Sequence, residues 1–440
     1  MMTRVTIDAA RRAPRVAFVS GFLLTLLGVP AGRAAPPIEP LPAPAFSFDL
    51  GSPSVENGLF FAADILSMAD TVPDVVIPGP RLQLLSPFDD LDALSGNKAQ
   101  STPAGPFQLL FSVDRATVGI AAPDPDFVLL GVPFNVADQA ARGQAAGDQY
   151  ASSMLFVRGG TARAAARGLN SVLVRNNYDE GGTDFGAVPA VDAYGNAARG
   201  LQDNVDATAY LQRTGPTQAI LNVFFSLSEG SPSLTTLPHG GPPSGATIYI
   251  NPDPLNMGVS SVYAEFYQLG LTPLDDIDAL LVFDMNMNGI YDGPDSVLFS
   301  LTPESPSLQT IMGASIEGAG ADVFTVAPGL APAVFAPASA FGLGAPLDNI
   351  DALELVPCDN SLACGQLHGI RALRGDLNCD NAVNFRDINP FVLALSNPAA
   401  YHANFPGCFI MNGDINLSGT VDFADINPFV MLLSTGGGGH

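Results

Sequence analysis

Short runs rich in β-branched and aromatic residues, bounded by Gly, Pro and Asp, recur along most of this 440-residue chain. Ser296–Leu301 (SVLFSL), Ala321–Val326 (ADVFTV) and Ile277–Phe283 (IDALLVF) are examples. Runs of this length closed by turn formers predict strands, because branched and aromatic side chains suit a pleated, half-buried surface.

Two landmarks organise the runs. The first is Phe-Ser, at Phe46-Ser47, Phe111-Ser112, Phe225-Ser226 and Phe299-Ser300, followed by Ser-Pro-Ser in three of the four copies (Ser52–Ser54, Ser231–Ser233, Ser305–Ser307). The second is Asp-Asp/Asn-apolar-Asp-Ala, at Asp89–Ala93, Asp203–Ala207, Asp275–Ala279 and Asp348–Ala352. A weaker one lies between them, around Asp64, Asp148, Thr247 and Asp322. From first to second landmark the distances are 43, 92, 50 and 49 residues, so the second unit carries an insertion of about 45 residues within 127–200. Self-similarity at such a period marks a repeat architecture.

The body therefore reads as a mainly β, four-unit repeat over 40–356, with units at about 46–96, 105–210, 218–283 and 295–356. A turn joins the last strand of one unit to the first of the next, at Gln212–Thr217 and again at Asp284–Asp295, which predicts a hairpin across each boundary. Units of three or four strands interlocked this way bury their faces only by stacking or closing. A four-bladed propeller-like ring is the expected form; tandem β-sandwiches or an open β array are the alternative. Within the insertion, the Ala/Gln-rich stretch Val136–Leu155 predicts a helix, and Gly/Asp-rich Asn176–Tyr194 reads as loop. Insertions on a repeat scaffold often carry specific contacts, so this one is the candidate partner surface of the body. The Asp corner reads as a strand-start turn whose carboxylates cap backbone amides on the solvent face. A metal or sugar-hydroxyl site is its other reading.

Composition supports short strands: Gly (45) and Pro (38) are abundant, and Trp is absent. The N-terminus carries Arg4, Arg11, Arg12 and Arg15 ahead of the apolar run Val16–Ala31 and a small-residue stretch, the pattern of a signal peptide over 1–34. The run is shorter than the ~20 residues of a spanning helix, so the expectation is a secreted chain, extracellular or at the cell surface, with no membrane span once cleaved. The remaining chain has 13 basic and 42 acidic residues, a net charge of −29. That excludes a phosphate-binding footprint, and so nucleic acid as a partner, and favours divalent cations.

All four cysteines fall between 358 and 408. In an oxidising compartment they predict disulfides, paired 358–364 (Cys358, Cys364) across a linker at 357–369, and 379–408 (Cys379, Cys408).

Beyond the linker two segments repeat with an offset of 38: Gly375–Val392 and Gly413–Val430. Each holds a twelve-residue loop whose last residue is the Asp of Asp-Ile-Asn-Pro-Phe-Val. Calcium takes six to eight hard oxygen ligands, and such a loop aims side chains 1, 3, 5, 9 and 12 and carbonyl 7 inward. In the first loop these are Asp376, Asn378, Asp380, the Ala382 carbonyl, Asn384 and Asp387. In the second they are Asp414, Asn416, Ser418, the Thr420 carbonyl, Asp422 and Asp425. Position six needs ease with positive φ, which Gly419 and Asn381 provide. The turn Asp284–Asp295 repeats the pattern, with Asp284, Asn286, Asn288, Asp292 and Asp295 at the ligand positions and Gly289 at six; a plain Asn-Gly hairpin turn is the alternative there.

The paired loops and their helices, over about 370–435, resemble the type I dockerin family, a small α-helical calcium-loop module with Asp at loop position twelve. The resemblance implies folding on calcium binding and docking into a cohesin-like protein of a scaffold or cell surface. Packing on the chain's own body is the other possibility the sequence leaves open. Residues 436–440 read as a disordered tail.

No Gly-x-Ser-x-Gly, His-Glu-x-x-His or phosphate-loop pattern occurs, and the four histidines share no motif. The leading expectation is thus a secreted, non-catalytic binding or scaffold protein tethered by the dockerin-like module. A dockerin-borne polysaccharide-active enzyme or glycan-binding protein is the alternative, implied by what dockerins commonly accompany.

Overall fold

The computed structural model describes residues 44–69, 72–82, 84, 87–96, 109–119, 136–142, 145–152, 170–174, 203–214, 219–252, 260–312, 319–343, 348–355, 374–380, 382–405, 408–416 and 421–434. The proposed signal peptide, Cys358, Cys364, Asn176–Tyr194 and the end of the chain lie outside them.

The first repeat gives β1 (Ala45–Phe48), β2 (Ile65–Ala69) and β3 (Val72–Ile77). The second sheet holds β4 (Ala93–Gly96), β5 (Leu109–Ser112), β6 (Gln149–Ser152) and β7 (Asn170–Val174). The third holds β8 (Val205–Thr214), β9 (Ala219–Leu227), β10 (Ile248–Asn251) and β11 (Ser261–Ala264), and the fourth β12 (Ile277–Phe283), β13 (Ser296–Leu301), β14 (Val323–Val326) and β15 (Ala333–Ala336). Finally β16 (Ile350–Glu354) returns to pair with β1, with Phe46 opposite Leu353, and becomes the first strand of the sheet β16-β1-β2-β3. All four sheets are antiparallel and four-stranded. Their first strands, β4, β8, β12 and β16, neighbour one another in cyclic order and approach across the centre. This is a four-bladed, propeller-like ring, and each blade takes its innermost strand from the repeat that precedes it. The expected hairpins across the unit boundaries are these pairings of β4, β8 and β12 with β5, β9 and β13. The last pairing, β16 with β1, closes the ring.

The landmarks have a physical role. Phe46, Phe111, Phe225 and Phe299 are fully buried at the second strand of each blade. In three blades the ring meets an aromatic of the third strand: Phe111 with Tyr150 at 5.5 Å, Phe225 with Tyr249 at 5.6 Å and Phe299 with Phe324 at 5.7 Å. The serine after each Phe fastens its blade to the next. Ser47 Oγ donates to the Leu91 carbonyl (2.9 Å), Ser112 to Val205 (2.6 Å), Ser226 to Ile277 (3.1 Å) and Ser300 to Ile350 (2.8 Å), completing the circle.

Ser-Pro-Ser serves the corner within a blade. The second serine gives both its N–H and its hydroxyl to the first Asp of the Asp motif, at 2.8–2.9 Å for Ser54 on Asp348 and 2.8 Å for Ser233 on Asp203. Ser307 on Asp275 repeats the pair at 2.8 and 2.5 Å. The first serine accepts the N–H of Asn349, Asn204 or Asp276. The second blade lacks Ser-Pro-Ser and substitutes for it: Thr117 Oγ1 accepts from Asp90, and Asp89 takes the Val118 and Gly119 N–H groups. A hydroxyl bond to a buried carboxylate contributes about 2 kcal/mol. Ser233→Ala should therefore lower the urea midpoint by that much free energy with an unchanged m-value.

Two expectations are corrected. The Asp corner does cap backbone amides, but it does not face solvent: Asp89, Asp203, Asp275 and Asp348 are at most 1% exposed, and Asp92, Asp206, Asp278 and Asp351 are also buried. The inner strands carry these corners to the ring's centre. Val136–Leu155 is not one helix; it is helical over Val136–Arg142 and turns into strand β6 at Gln149. Gly147 ends a short turn just before the strand, and Tyr150 is needed in the blade. The extra residues of the second repeat thus flank β6 on both sides. No helix among the described residues is long and apolar enough to cross a membrane.

Candidate metal centres and the terminal module

The three loops singled out by ligand spacing share a hydrogen-bond pattern. In Asp376–Asp387 the Asp380 N–H donates to Asp376 Oδ1 (3.2 Å) and Asn378 Oδ1 (2.9 Å), and the Ala382 N–H to Asp380 Oδ1 (3.1 Å). Asp387 closes the loop, accepting from the Leu377 N–H at Oδ1 (2.9 Å) and the Asn384 N–H at Oδ2 (2.8 Å). The β12–β13 turn Asp284–Asp295 has the same bonds at the same offsets. Asn288 N–H donates to Asp284 Oδ1 and Asn286 Oδ1 (both 3.1 Å), and Ile290 N–H to Asn288 Oδ1 (2.7 Å). Met285 and Asp292 N–H groups donate to Asp295 (both 3.0 Å). Asn286 and Asn288 amides also hold the Asp292 carboxylate. In the second terminal loop Asp425 accepts from Asn416 (3.0 Å) and Asp422 (2.9 Å), while Ser418, Thr420, Gly419 and Asn381 lie outside the described residues.

Left-handed backbone is needed at two loop positions. Gly289 at position six has φ 72°, as expected. Position four is left-handed too, with φ 54° at both Met287 and Cys379. Spacing gave no signal for it, since neither residue type favours that region.

Burial raises the closing carboxyls Asp387 and Asp425, and Asp284 at the head of its loop, above the usual carboxylate range. Asp295 is pushed up to about 7 by burial, with the Asp284 charge adding to it. Donors here are carboxylate, amide, hydroxyl and carbonyl oxygens only, which fits calcium and not the nitrogen and sulfur preference of zinc. The residues that would hold it are those at positions 1, 3, 5, 7, 9 and 12.

The two terminal loops form one body. Gly375 N–H donates to the Asn412 carbonyl (2.7 Å), and the Asn412 amide to the Asp376 carbonyl (2.7 Å). Their helices, Ile388–Ser396 and Ile426–Ser434, stack Phe391 on Phe429 at 4.2 Å. The disulfide Cys379–Cys408 ties the first loop to the segment between them, with Cα atoms 5.7 Å apart. That segment holds an additional helix, Pro398–Asn404, whose Tyr401 hydroxyl donates to the Leu377 carbonyl (2.9 Å).

The module also packs on the body. Phe409 sits edge-on to Phe283 (4.8 Å) of β12 and Phe335 (5.6 Å) of β15. His402 is buried, and the backbone of Pro294, in the third loop, acts on its ring. Comparison with known proteins found no match: no family model, curated protein or solved structure is similar to this chain at the level that counts as a match. The dockerin resemblance rests on the paired loops and helices alone.

Burial lowers His402 to about 4 from its ordinary 6.5. The unfolded chain therefore binds more protons between those values, so stability is complete above pH 6.5 and falls as pH drops towards 4. Unfolding midpoints of the wild type should decline across that window more steeply than those of His402→Gln, and parallel declines would refute this role for His402.

Sequence reasoning singled out the loop residues and read the inner-strand carboxylates as strand-start turns, with a metal or sugar-hydroxyl site as the other reading. Burial raises Asp90, Asp92, Asp206, Asp278 and Asp351 well above the usual range, and neighbouring carboxylates add to it. Asp90, Asp92 and Asp278 each act on at least one other member of this set. Asp114 and Asp49, just past the Phe-Ser strands, add further negative charge, and Arg115 offsets part of it at Asp206. The fourfold recurrence of the motif was the available signal.

Proposed function

We propose that this protein is a secreted, non-catalytic binding or scaffold component whose terminal calcium-loop module docks onto a cohesin-like protein of a scaffold or cell surface. The observation that carries the reading is a twin set of exposed apolar side chains. Phe385 and Phe423, 76% and 79% exposed, occupy the same position in the two loops. Ile388 with Ile426, and Val392 with Val430, repeat the correspondence on the following helices and are also exposed. The module turns Phe409 towards the ring and leaves these six side chains uncovered. Duplicated apolar residues on a small charged domain suit a protein partner better than solvent. Calcium would fix the loops and thereby the spacing of the two halves of this face.

The full chain, immobilised, should capture a protein from the secreted and envelope fractions of its own organism in calcium and release it in chelator. The captured protein, purified, should bind wild type at least about thirtyfold more tightly than Phe385→Asp with Phe423→Asp. Binding that ignores calcium, or ignores the double substitution, refutes the docking reading.

A further inference from the structure

We propose that the centre of the ring is a calcium site built from one aspartate of each blade, Asp92, Asp206, Asp278 and Asp351, with Asp90 beside them. The site is separate from the three loops and does not depend on the docking reading.

Three observations converge. First, topology brings the residues together: each is the fourth residue of its Asp motif, and those motifs lead into the four innermost strands. Carboxylate oxygens of Asp90, Asp92 and Asp351 lie within 4.8 Å of one another. Second, the backbone re-aims them. The pairing register shifts at Asp206, Asp278 and Asp351, between Val205 and Ala207, between Ile277 and Leu280, and where β16 passes from Ile350 to Ala352. A bulge turns a residue out of the strand's alternation, and bulges recur beside functional sites. Three blades thus share a distortion that hydrogen bonding in the sheets does not require. Third, the oxygens have capacity to spare. Asp92 and Asp206 are 3% and 6% exposed, and Oδ2 of each accepts no hydrogen bond, nor does Oδ1 of the equally buried Asn204 and Asn349.

Asn204 and Asn349 show what the centre does where it can satisfy a carboxylate internally: their amides donate to Asp206 Oδ1 (3.2 Å) and Asp278 Oδ2 (2.5 Å). The amides occupy one oxygen of each and leave the net charge untouched. Several buried carboxylates at such separation cost several kcal/mol each unless neutralised. Protons or a cation can do this. A divalent cation neutralises two charges at once and uses oxygens that otherwise have no donor. The all-oxygen donor set, with no His or Cys, selects calcium over zinc.

The test counts calcium on the full-length chain after dialysis to low free calcium. Wild type should carry one ion more than Asp92→Asn with Asp351→Asn, whose three loops are intact. In chelator the double variant should melt higher than wild type, because a buried repulsion has been removed; in calcium the order should reverse. Equal calcium counts, or a melting order unchanged by calcium, would show that the carboxyls are protonated and overturn the site. Should the variant misfold, strontium-exchanged crystals of the wild type decide alone. An anomalous peak among Asp92, Asp206, Asp278 and Asp351 is the expected result, and peaks confined to the loops are the refuting one.

Discussion

A chain that ends at Leu343 should fail to form the ring, whereas one that ends at Leu355 should form it. The twelve residues between contain β16, which is both the inner strand of the first blade and one wall of the centre. Removing it strips β1 of its partner along Phe46–Leu353 and Ser47–Ala352 and takes out the buried side chains of Ile350, Ala352, Leu353 and Leu355. It also removes Asp348, which holds Ser54, and the Ile350 carbonyl that receives Ser300. Loss of a large buried side chain alone costs about 2–5 kcal/mol, and a domain has only about 5–15 kcal/mol in all. The shorter chain should show no cooperative urea transition, and the longer one should keep it. A cooperative transition in the chain ending at Leu343 would mean that the blades are independent of closure.

The second large effect is at the terminal module. Asp376→Ala together with Asp414→Ala removes the leading carboxylate of each terminal loop and, with it, the acceptor that Asp380 N–H uses in the first. At a thousandfold excess of calcium over Kd, binding stabilises a folded module by about 4 kcal/mol per site. Helices of nine residues have no stability apart from their packing. The double variant should therefore be cleaved by protease within 382–434 even in calcium, at a rate the wild type reaches only in chelator, while the β circular dichroism of the blades persists. Phe409 would then lose its place between Phe283 and Phe335, so a modest drop in body stability is expected as well.

Much of this fold is legible in the chain because each landmark answers to a local need. Phe-Ser marks a strand since Phe fills the blade interior and Ser ties it to its neighbour. Ser-Pro-Ser and the first Asp of each motif form one clamp, and the second blade loses the sequence signal because Thr117 and two backbone amides do the same work. The fourth strands carried no landmark. β3 runs along an edge where exposed and half-buried residues alternate, and many sequences serve there. What could not be read is the inward direction of the Asp corners. In one repeat Asp-Asp-Leu-Asp-Ala is indistinguishable from a solvated turn; only four copies meeting at one centre, three of them with shifted register, make it an interior acidic ring. The three loops with a shared hydrogen-bond pattern were legible because their spacing lies within twelve consecutive residues. The seating of the module on the fourth blade was not, since Phe409, Phe283 and Phe335 are far apart in sequence.

Hydrogen exchange of the full-length chain, run in calcium and again in chelator, tests the central claim most directly. The amides of Asp380, Asn384 and Asp422 in the terminal module, and of Asn288 and Gly289 in the β12–β13 turn, are all held by carboxylate or amide oxygens of the proposed ligands. They should be strongly protected with calcium and exchange orders of magnitude faster without it. Identical protection in the two conditions would contradict a role for calcium in shaping this molecule.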